Sequence, residues 1–218
     1  GLSWTTVYAE PVTEEWVFET ESEINSGPVV AEDGTIYFGN DGGVLYALNI
    51  DGKEKWQLKT DSGIKVSPVI AGDGTIYAGN NMGKIFAINE KGKEKWNMVI
   101  ASSSSNMDKN IVSKPLIGRD DTVYVGSDTD ITAINPDGTI KWKSQVGNIN
   151  YMYNRLALAA DNSIYAVSDD KLYNIKENGR ENLKINLKFN VLLEGPAVAD
   201  DGNIYVGDDK GRIHAVNP

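Results

Sequence analysis

Residues 35–40 read Thr-Ile-Tyr-Phe-Gly-Asn, and this stretch decides the fold because it returns along the chain. It reappears at 75–80 as Thr-Ile-Tyr-Ala-Gly-Asn, and in looser form at 122–127, 163–168 and 203–208. The tyrosines of successive copies are 40, 47, 41 and 40 residues apart. A period near 40 residues is typical of a protein built from repeated supersecondary modules. The repeated tyrosines are Tyr37, Tyr77, Tyr124, Tyr165 and Tyr205.

Each module predicts four short strands joined by tight turns. In the first module, an apolar run at 28–31 and the β-forming stretch 35–39 flank the turn Asp33-Gly34. A third strand is expected at 44–49, and a fourth strand carries Trp56. Tryptophans recur in this fourth strand at Trp16, Trp56, Trp96 and Trp142, and Leu183 takes the equivalent place in the next module.

Asp-Gly and Asn-Gly pairs lie between the predicted strands of the modules. Such pairs tolerate the positive φ angles of a type I′ turn, so we expect two-residue hairpins of that type. The pairs stand at Asp51-Gly52, Asp73-Gly74, Asp137-Gly138, Asn178-Gly179 and Asp201-Gly202.

Four antiparallel strands in about 40 residues match one blade of a β-propeller. The continuous apolar runs at 29–31 and 69–71 indicate strands that are covered on both faces, as neighbouring blades would cover them. We therefore predict an all-β fold. Residues 14–218 are expected to form a single β-propeller domain of at least five four-stranded antiparallel blades.

The first and last modules look complementary. Residues 195–217 supply three strands, and residues 15–20 supply a lone tryptophan strand, so their pairing would close a ring of five blades. The alternative is a larger propeller of up to eight blades. It is suggested by residues 1–13, an N-terminal extension or worn blade strand in which Val7-Tyr8-Ala9 is similar to Leu45-Tyr46-Ala47.

Composition excludes several classes of function. Lys and Arg number 21 against 31 Asp and Glu, and the resulting net charge of −10 disfavours nucleic acid as a partner. The chain has no cysteine and a single histidine, His214, which rules out thiol catalysis and cysteine-ligated metals. No apolar run approaches the roughly 20 residues of a membrane-spanning helix, so no membrane span is expected.

The stretch 47–56, Ala-Leu-Asn-Ile-Asp-Gly-Lys-Glu-Lys-Trp, resembles the tryptophan-docking repeat of the pyrroloquinoline-quinone-like (PQQ-like) propellers. Similar stretches lie at 87–96 and 133–142. In that family the tryptophan packs between blades, over a glycine turn of a neighbouring unit. The resemblance implies a structural role for Trp16, Trp56, Trp96, Trp142, Gly52, Gly92 and Gly138.

The PQQ-like family divides into quinoprotein dehydrogenases and non-catalytic relatives of the cell envelope. The dehydrogenases hold calcium and use a catalytic aspartate, but no position of this chain aligns with those residues. The resemblance therefore favours the non-catalytic branch, with no catalytic residue, no metal and no cofactor expected; PQQ with calcium is the alternative. It also implies an extracellular, periplasmic or cell-surface location, although a cytoplasmic one stays open.

The connections between modules suggest where a site would lie. Each connection from a tryptophan strand to the next module shares one face of a propeller with the turns between second and third strands, and such loops often carry function. The third connection, 101–113, is longer than the first two, and the fourth and fifth break the pattern at 150–155 and 188–190. We expect a protein or small-molecule ligand at this loop face, although loop drift would also explain the differences. The candidate ligand-binding residues are Met107, Asp108, Lys109, Tyr151, Tyr153, Arg155 and Phe189.

Several aspartates lie in the turns of this face, and clustered carboxylates are the ligands that a calcium ion prefers. Aspartate is a common turn former and no loop has EF-hand spacing, so we expect no metal site. The leading hypothesis is a non-catalytic ligand- or protein-binding scaffold. The alternatives are a PQQ-dependent dehydrogenase or cofactor-binding fragment, and a segment of a larger surface-layer protein. The turn aspartates are Asp41, Asp128, Asp130, Asp169, Asp170, Asp208 and Asp209.

Overall fold

A computed structural model describes residues 13–100, 113–127, 130–146, 156–168, 170–189, 191, 195–199 and 201–217. The described residues form 19 strands in five separate antiparallel sheets. They include no helix, and so none that could cross a membrane. The predicted all-β fold with at least five small sheets is confirmed. Each sheet is one blade, numbered 1 to 5 along the chain.

Blade 1 shows the common pattern. It contains β1 (Val29–Val30), β2 (Ile36–Gly39), β3 (Val44–Leu48) and β4 (Glu54–Lys59), which pair in chain order. Blade 2 comprises β5 (Val69–Ile70), β6 (Ile76–Gly79), β7 (Lys84–Ile88) and β8 (Glu94–Val99). Blade 3 comprises β9 (Leu116–Ile117), β10 (Val123–Gly126), β11 (Asp130–Ile134) and β12 (Ile140–Gln145). Blade 4 comprises β13 (Leu156–Leu158), β14 (Ile164–Ser168), β15 (Lys171–Ile175) and β16 (Glu181–Asn186). Blade 5 comprises β17 (Ala197–Val198), β18 (Ile204–Gly207) and β19 (Ile213–Val216).

The turn between the third and fourth strands differs from the expected type I′ turn. In blade 1 the amide of Gly52 donates to Asn49 O and the amide of Asn49 donates to Lys53 O. Gly52 has φ +78°, whereas Asp51 does not have a positive φ, and the register shifts between Ala47 and Leu48. This is the three-residue loop with a glycine bulge, not the two-residue type I′ loop. The type I′ prediction was wrong because the dipeptide alone does not reveal where the strand pairing stops.

The core lies between blades. Tyr37, Leu45 and Ala47 of blade 1 pack with Ile76 and Phe86 of blade 2 in one buried cluster. Equivalent clusters join blade 2 to blade 3, blade 3 to blade 4, and blade 4 to blade 5. Because each middle blade is covered on both faces, nearly all residues of its second and third strands are buried.

The expected closure of the ring is not made. Blade 5 has three strands, and residues 14–20 are not in a strand of any sheet. This segment contacts blade 1, where the Trp16 indole donates to Ile50 O at 3.0 Å and Phe18 packs on Phe38 and Tyr46. These side-chain contacts fix the tryptophan segment without requiring a partner strand.

As a result, one face of blade 5 is open. Ile213 is 76% exposed, whereas Ile85, at the same position of blade 2, is fully buried. Tyr205 is 37% exposed, whereas its counterpart Tyr77 is 2% exposed. The same residue types are therefore core in blade 2 and surface in blade 5.

Candidate functional site

The loop face is a hydrogen-bonded platform. The connection after blade 1 bridges two blades, because Ile64 N donates to Asn40 O of blade 1 and Asn81 N of blade 2 donates to Gly63 O, both at 2.9 Å. The preceding connection is bound in the same way, with Asp41 N donating to Glu23 O at 2.8 Å. These main-chain bonds give the two connections that enter blades 1 and 2 a defined position.

The turn between second and third strands is capped by one polar residue. Asn40 Oδ1 accepts the amide of Val44 at 2.9 Å, and Asn80 Oδ1 accepts the amide of Lys84 at 3.0 Å. In blade 5 the capping residue is Asp208, so a carboxylate stands where blades 1 and 2 have an amide.

The Asp208 carboxylate organises a polar cluster on blade 5. Its side chain is fully buried, and Oδ2 accepts from Arg212 at 2.6 Å and lies 2.9 Å from His214 Nε2. Its other oxygen, Oδ1, accepts the amide of Lys210 at 2.9 Å. Burial raises the pKa of Asp208, but the hydrogen bonds from His214 and Arg212 outweigh burial and hold the pKa well below its ordinary value. Asp208 is therefore a carboxylate at neutral pH.

Phe189 lies on this cluster. Its ring stacks on the His214 imidazole with centroids 3.6 Å apart and planes 8° apart, and it also packs against the core between blades 4 and 5. It borders a cleft of about 250 Å³ whose lining includes Lys188, Asp209 and Lys210. Phe189 lies in the connection after blade 4, and its ring is used in packing. The other candidate ligand residues lie outside the described residues: Met107, Asp108, Lys109, Tyr151, Tyr153 and Arg155.

Two apolar side chains on the loop face are solvent-exposed. Ile24, in the connection that enters blade 1, is 47% exposed, and Met82, in a turn of blade 2, is 52% exposed. Neither position stood out in the sequence. The repeat predicts which positions lie in loops, but exposure of one loop side chain depends on how neighbouring loops pack.

The described acidic residues of this face do not fit a calcium site. Asp41 lies 3.4 Å from Lys65, Asp130 lies 3.2 Å from Lys143, and Asp170 lies 3.1 Å from Lys171. Each carboxylate therefore faces a cation of its own blade or a neighbouring connection. Across the part of the chain that the structure describes, no three His, Cys, Asp or Glu side chains form a metal-binding group. Asp128 and Asp169 lie outside that part.

The tryptophans lie at the junctions between blades. The Trp56 indole donates to Glu90 O of blade 2 at 2.8 Å, and its ring covers Gly92, where an added Cβ would lie 2.7 Å from Trp56 Cδ2. Trp16, Trp96 and Trp142 make the same bond to Ile50, Pro136 and Glu177 O at 3.0, 2.9 and 2.6 Å, over Gly52, Gly138 and Gly179.

A second recurring group had not been singled out from the sequence. In blade 3, Lys141 Nζ donates to Asp120 at 2.8 Å and to Thr122 Oγ1 at 3.3 Å. Burial raises the pKa of Asp120, but bonds from Lys141 and Thr122 outweigh it and hold the pKa at about 2. Blade 1 has the same group in Lys55, Asp33 and Thr35, and blade 2 has it in Lys95, Asp73 and Thr75. The lysine directly before Trp56, Trp96 and Trp142 was the available signal.

Comparison with solved structures places this geometry in a known architecture. BamB from Moraxella catarrhalis superposes with a TM-score of 0.73 at 21% identity, over 93% of this chain and 63% of that chain. Virginiamycin B lyase from Staphylococcus aureus gives a TM-score of 0.68 at 16% identity, over 91% and 71%. The fold is that of a β-propeller. A protein of unknown function from Bacteroides caccae is also similar, with a TM-score of 0.58 at 14% identity over 93% and 80%.

The propeller chain spans less than two thirds of the BamB chain. No protein-family model and no curated protein matches it. At these identities the structural likeness establishes the fold alone, and the similarity to PQQ-like repeats stays a resemblance of motif.

Proposed function

We propose that this propeller is a non-catalytic binding scaffold whose loop face recognises a protein segment. The observation that carries the proposal is the hydrogen-bonded loop platform of blades 1 and 2, which presents exposed side chains that the repeat does not share. Ile24 and Met82 supply exposed apolar area, and the Phe189–His214 stack supplies an aromatic surface. Apolar and aromatic anchors on a preorganised surface are the usual basis of protein recognition.

The net charge of the chain favours some partners over others. The chain carries a net charge of −10, so a neutral or basic segment is favoured over an acidic one. The resemblance to PQQ-like repeats supports an extracellular, periplasmic or cell-surface location for this interaction.

The proposal is tested by a titration that reports position. Uniformly ¹⁵N-labelled protein is titrated with short neutral and basic peptides of β-strand sequence, and amide shifts are followed. We expect saturable shifts at Ile24, Met82 and His214, and none at Gly52 and Gly92, which lie on the opposite face.

A matched variant makes the test specific. Met82→Ser should weaken peptide binding about tenfold or more, because a well-placed apolar anchor contributes roughly 1.4 kcal/mol or more. Ile50→Ser removes a still more exposed apolar side chain, 75% against 52% for Met82, from the opposite face and should leave binding unchanged. Unchanged peptide affinity in Met82→Ser, or amide shifts confined to the opposite face, would count against a loop-face scaffold.

The dehydrogenase alternative is tested on the same sample. If PQQ together with calcium stabilised the protein saturably and alcohol or sugar oxidation followed, the non-catalytic assignment would be wrong. No shift with quinone and calcium is the expected outcome.

A further inference from the structure

Blade 4 departs from the repeat on the face opposite the loops. In blades 1 to 3 a lysine before the tryptophan bonds an aspartate and a threonine of its own blade. In blade 4 the position of that lysine is occupied by Asn182, and Leu183 replaces the tryptophan. The aspartate is retained as Asp161 and the hydroxyl as Ser163. The acceptor pair is thus kept while the lysine at this position is lost, and the charge of Lys176 lowers the pKa of Asp161 from another position.

A second substitution lies in the interior of blade 4, next to Asn182. The residue paired with the repeated tyrosine is alanine in the other four blades, at Ala47, Ala87, Ala133 and Ala215, but it is Asn174 in blade 4. Asn174 is only 2% exposed. Burying an amide is costly unless it is hydrogen-bonded, so two linked polar substitutions at one site require a physical reason.

The substituted side chains form a directed chain of hydrogen bonds. Asn182 Nδ2 donates to Asn174 Oδ1 at 3.0 Å, and Asn174 Nδ2 donates to Ser163 Oγ at 3.2 Å. A hydrogen bond from Ser163 is the largest cause that lowers the pKa of Asp161, so Asp161 is a carboxylate at neutral pH. This chain of hydrogen bonds connects the Asn182 amide to buried Asn174, and Asn174 to Ser163 beside the Asp161 carboxylate.

These groups line a solvent-open cleft of about 560 Å³ between blades 3 and 4. Ligand sites commonly have volumes of about 300–1,000 Å³. Two cations, Lys141 and Lys176, and two anions, Asp161 and Glu177, contribute to the lining, which is therefore balanced in charge. Lys141 already faces Asp120 and lies 3.7 Å from Glu177. A charge-balanced lining of amides, hydroxyl and carboxylate suits a neutral ligand with many hydroxyl groups better than an ion.

We propose that this cleft binds a neutral mono- or disaccharide through the side chains of Asn182 and Asp161, with buried Asn174 holding the Asn182 amide in place. The Asn182 amide can donate a hydrogen bond to a sugar hydroxyl, and the Asp161 carboxylate can accept one from an adjacent hydroxyl. The hydrogen-bond chain holds both groups in place before the ligand arrives. The site lies on the opposite face from the loop surface, so it stands independently of the proposed loop-face function.

The test uses the ¹⁵N-labelled protein and four probes: glucose, galactose, N-acetylglucosamine and maltose. At least one saccharide should shift the side-chain amide signals of Asn174 and Asn182 saturably, with the main-chain signal of Met82 unmoved. Glycerol and acetate at the same concentration serve as controls for non-specific additive binding. Absence of any saccharide shift up to about 20 mM, which corresponds to about −2.3 kcal/mol, would overturn the proposal.

Two variants restore the repeat's own residues and should therefore fold. Asn182→Lys places a cation beside Asp161, as in blades 1 to 3, and Asn174→Ala restores the alanine of the other blades. Each should weaken saccharide binding about tenfold or more. Lys95→Asn makes the reverse substitution in blade 2 and should leave binding unchanged. If Asn182→Lys bound saccharide like the parent protein, or glycerol gave the same shifts, the saccharide site would be refuted.

Discussion

The contact of Trp56 with Gly92 allows a sharp test of what holds neighbouring blades together. In Gly92→Ala the added Cβ would lie 2.7 Å from Trp56 Cδ2 and 2.9 Å from Cγ. Gly92 also has φ +77°, a region that alanine adopts at a cost. Gly74 is a matched control because its φ is +81° and an added Cβ would meet nothing within 4 Å.

The two variants separate two contributions to the free energy of unfolding. Alanine in the left-handed region costs about 1–2 kcal/mol, and Gly74→Ala should show this cost alone. Gly92→Ala should add about 1–3 kcal/mol, because the rigid indole must move out of a packed position. In a protein of this size each kcal/mol lowers Tm by about 2–4 °C.

Urea unfolding followed by circular dichroism measures both variants, and a third comparison isolates the indole. In a Trp56→Ala background, Gly92→Ala should cost no more than Gly74→Ala does in the parent protein, because the clashing ring is gone. Equal costs of Gly92→Ala and Gly74→Ala in the parent would refute the reasoning, since the steric contribution of the tryptophan would then be nil.

Three further predictions concern single contacts. Trp96→Phe should lower the free energy of unfolding by about 1 kcal/mol in urea titrations, because it removes the bond to Pro136 O but keeps most of the ring. The pKa of Asp120 is about 2 in the folded state, below the unfolded value, so its stabilising contribution is complete above about pH 4 and is lost as pH falls toward 2. Asp120→Asn should therefore flatten the loss of stability between pH 5 and pH 2, and an unchanged acid profile would contradict this. Ile85→Ala should cost about 2–5 kcal/mol and Ile213→Ala less than about 0.5 kcal/mol, because only the first is covered by a neighbouring blade; similar costs would show that the face of blade 5 is covered in solution.

The blade interiors were predictable because local pattern and tertiary packing agree there. The stretch 35–39 is rich in β-forming residues and is followed by a turn. The third strand at 44–48 pairs with it in antiparallel register, as a short hairpin connection predicts. A period near 40 residues was enough to predict separate four-stranded sheets, because each sheet pairs only within its own module.

The candidate site was less predictable. Phe189 was selected because it breaks the repeat in a connection, but its stack on His214 joins residues 25 positions apart and depends on the fold of blade 5. The polar chain of Asn174 and Asn182 was visible only as substitutions within strands that otherwise repeat. Only the structure shows that these side chains line the same cleft, which is why they can be considered together as a site.

The sequence by itself determined the module, its four strands and the positions of its tryptophans, since period, β propensity and turn residues act over short distances. Only the tertiary structure decided the type of the glycine turns, the side of the molecule to which residues 14–20 attach, and which faces stay open. These features depend on contacts between modules: Trp16 finds its partner on blade 1, and Ile213 is exposed although Ile85 at the same position is buried. Identical local patterns therefore have different environments according to what packs beside them.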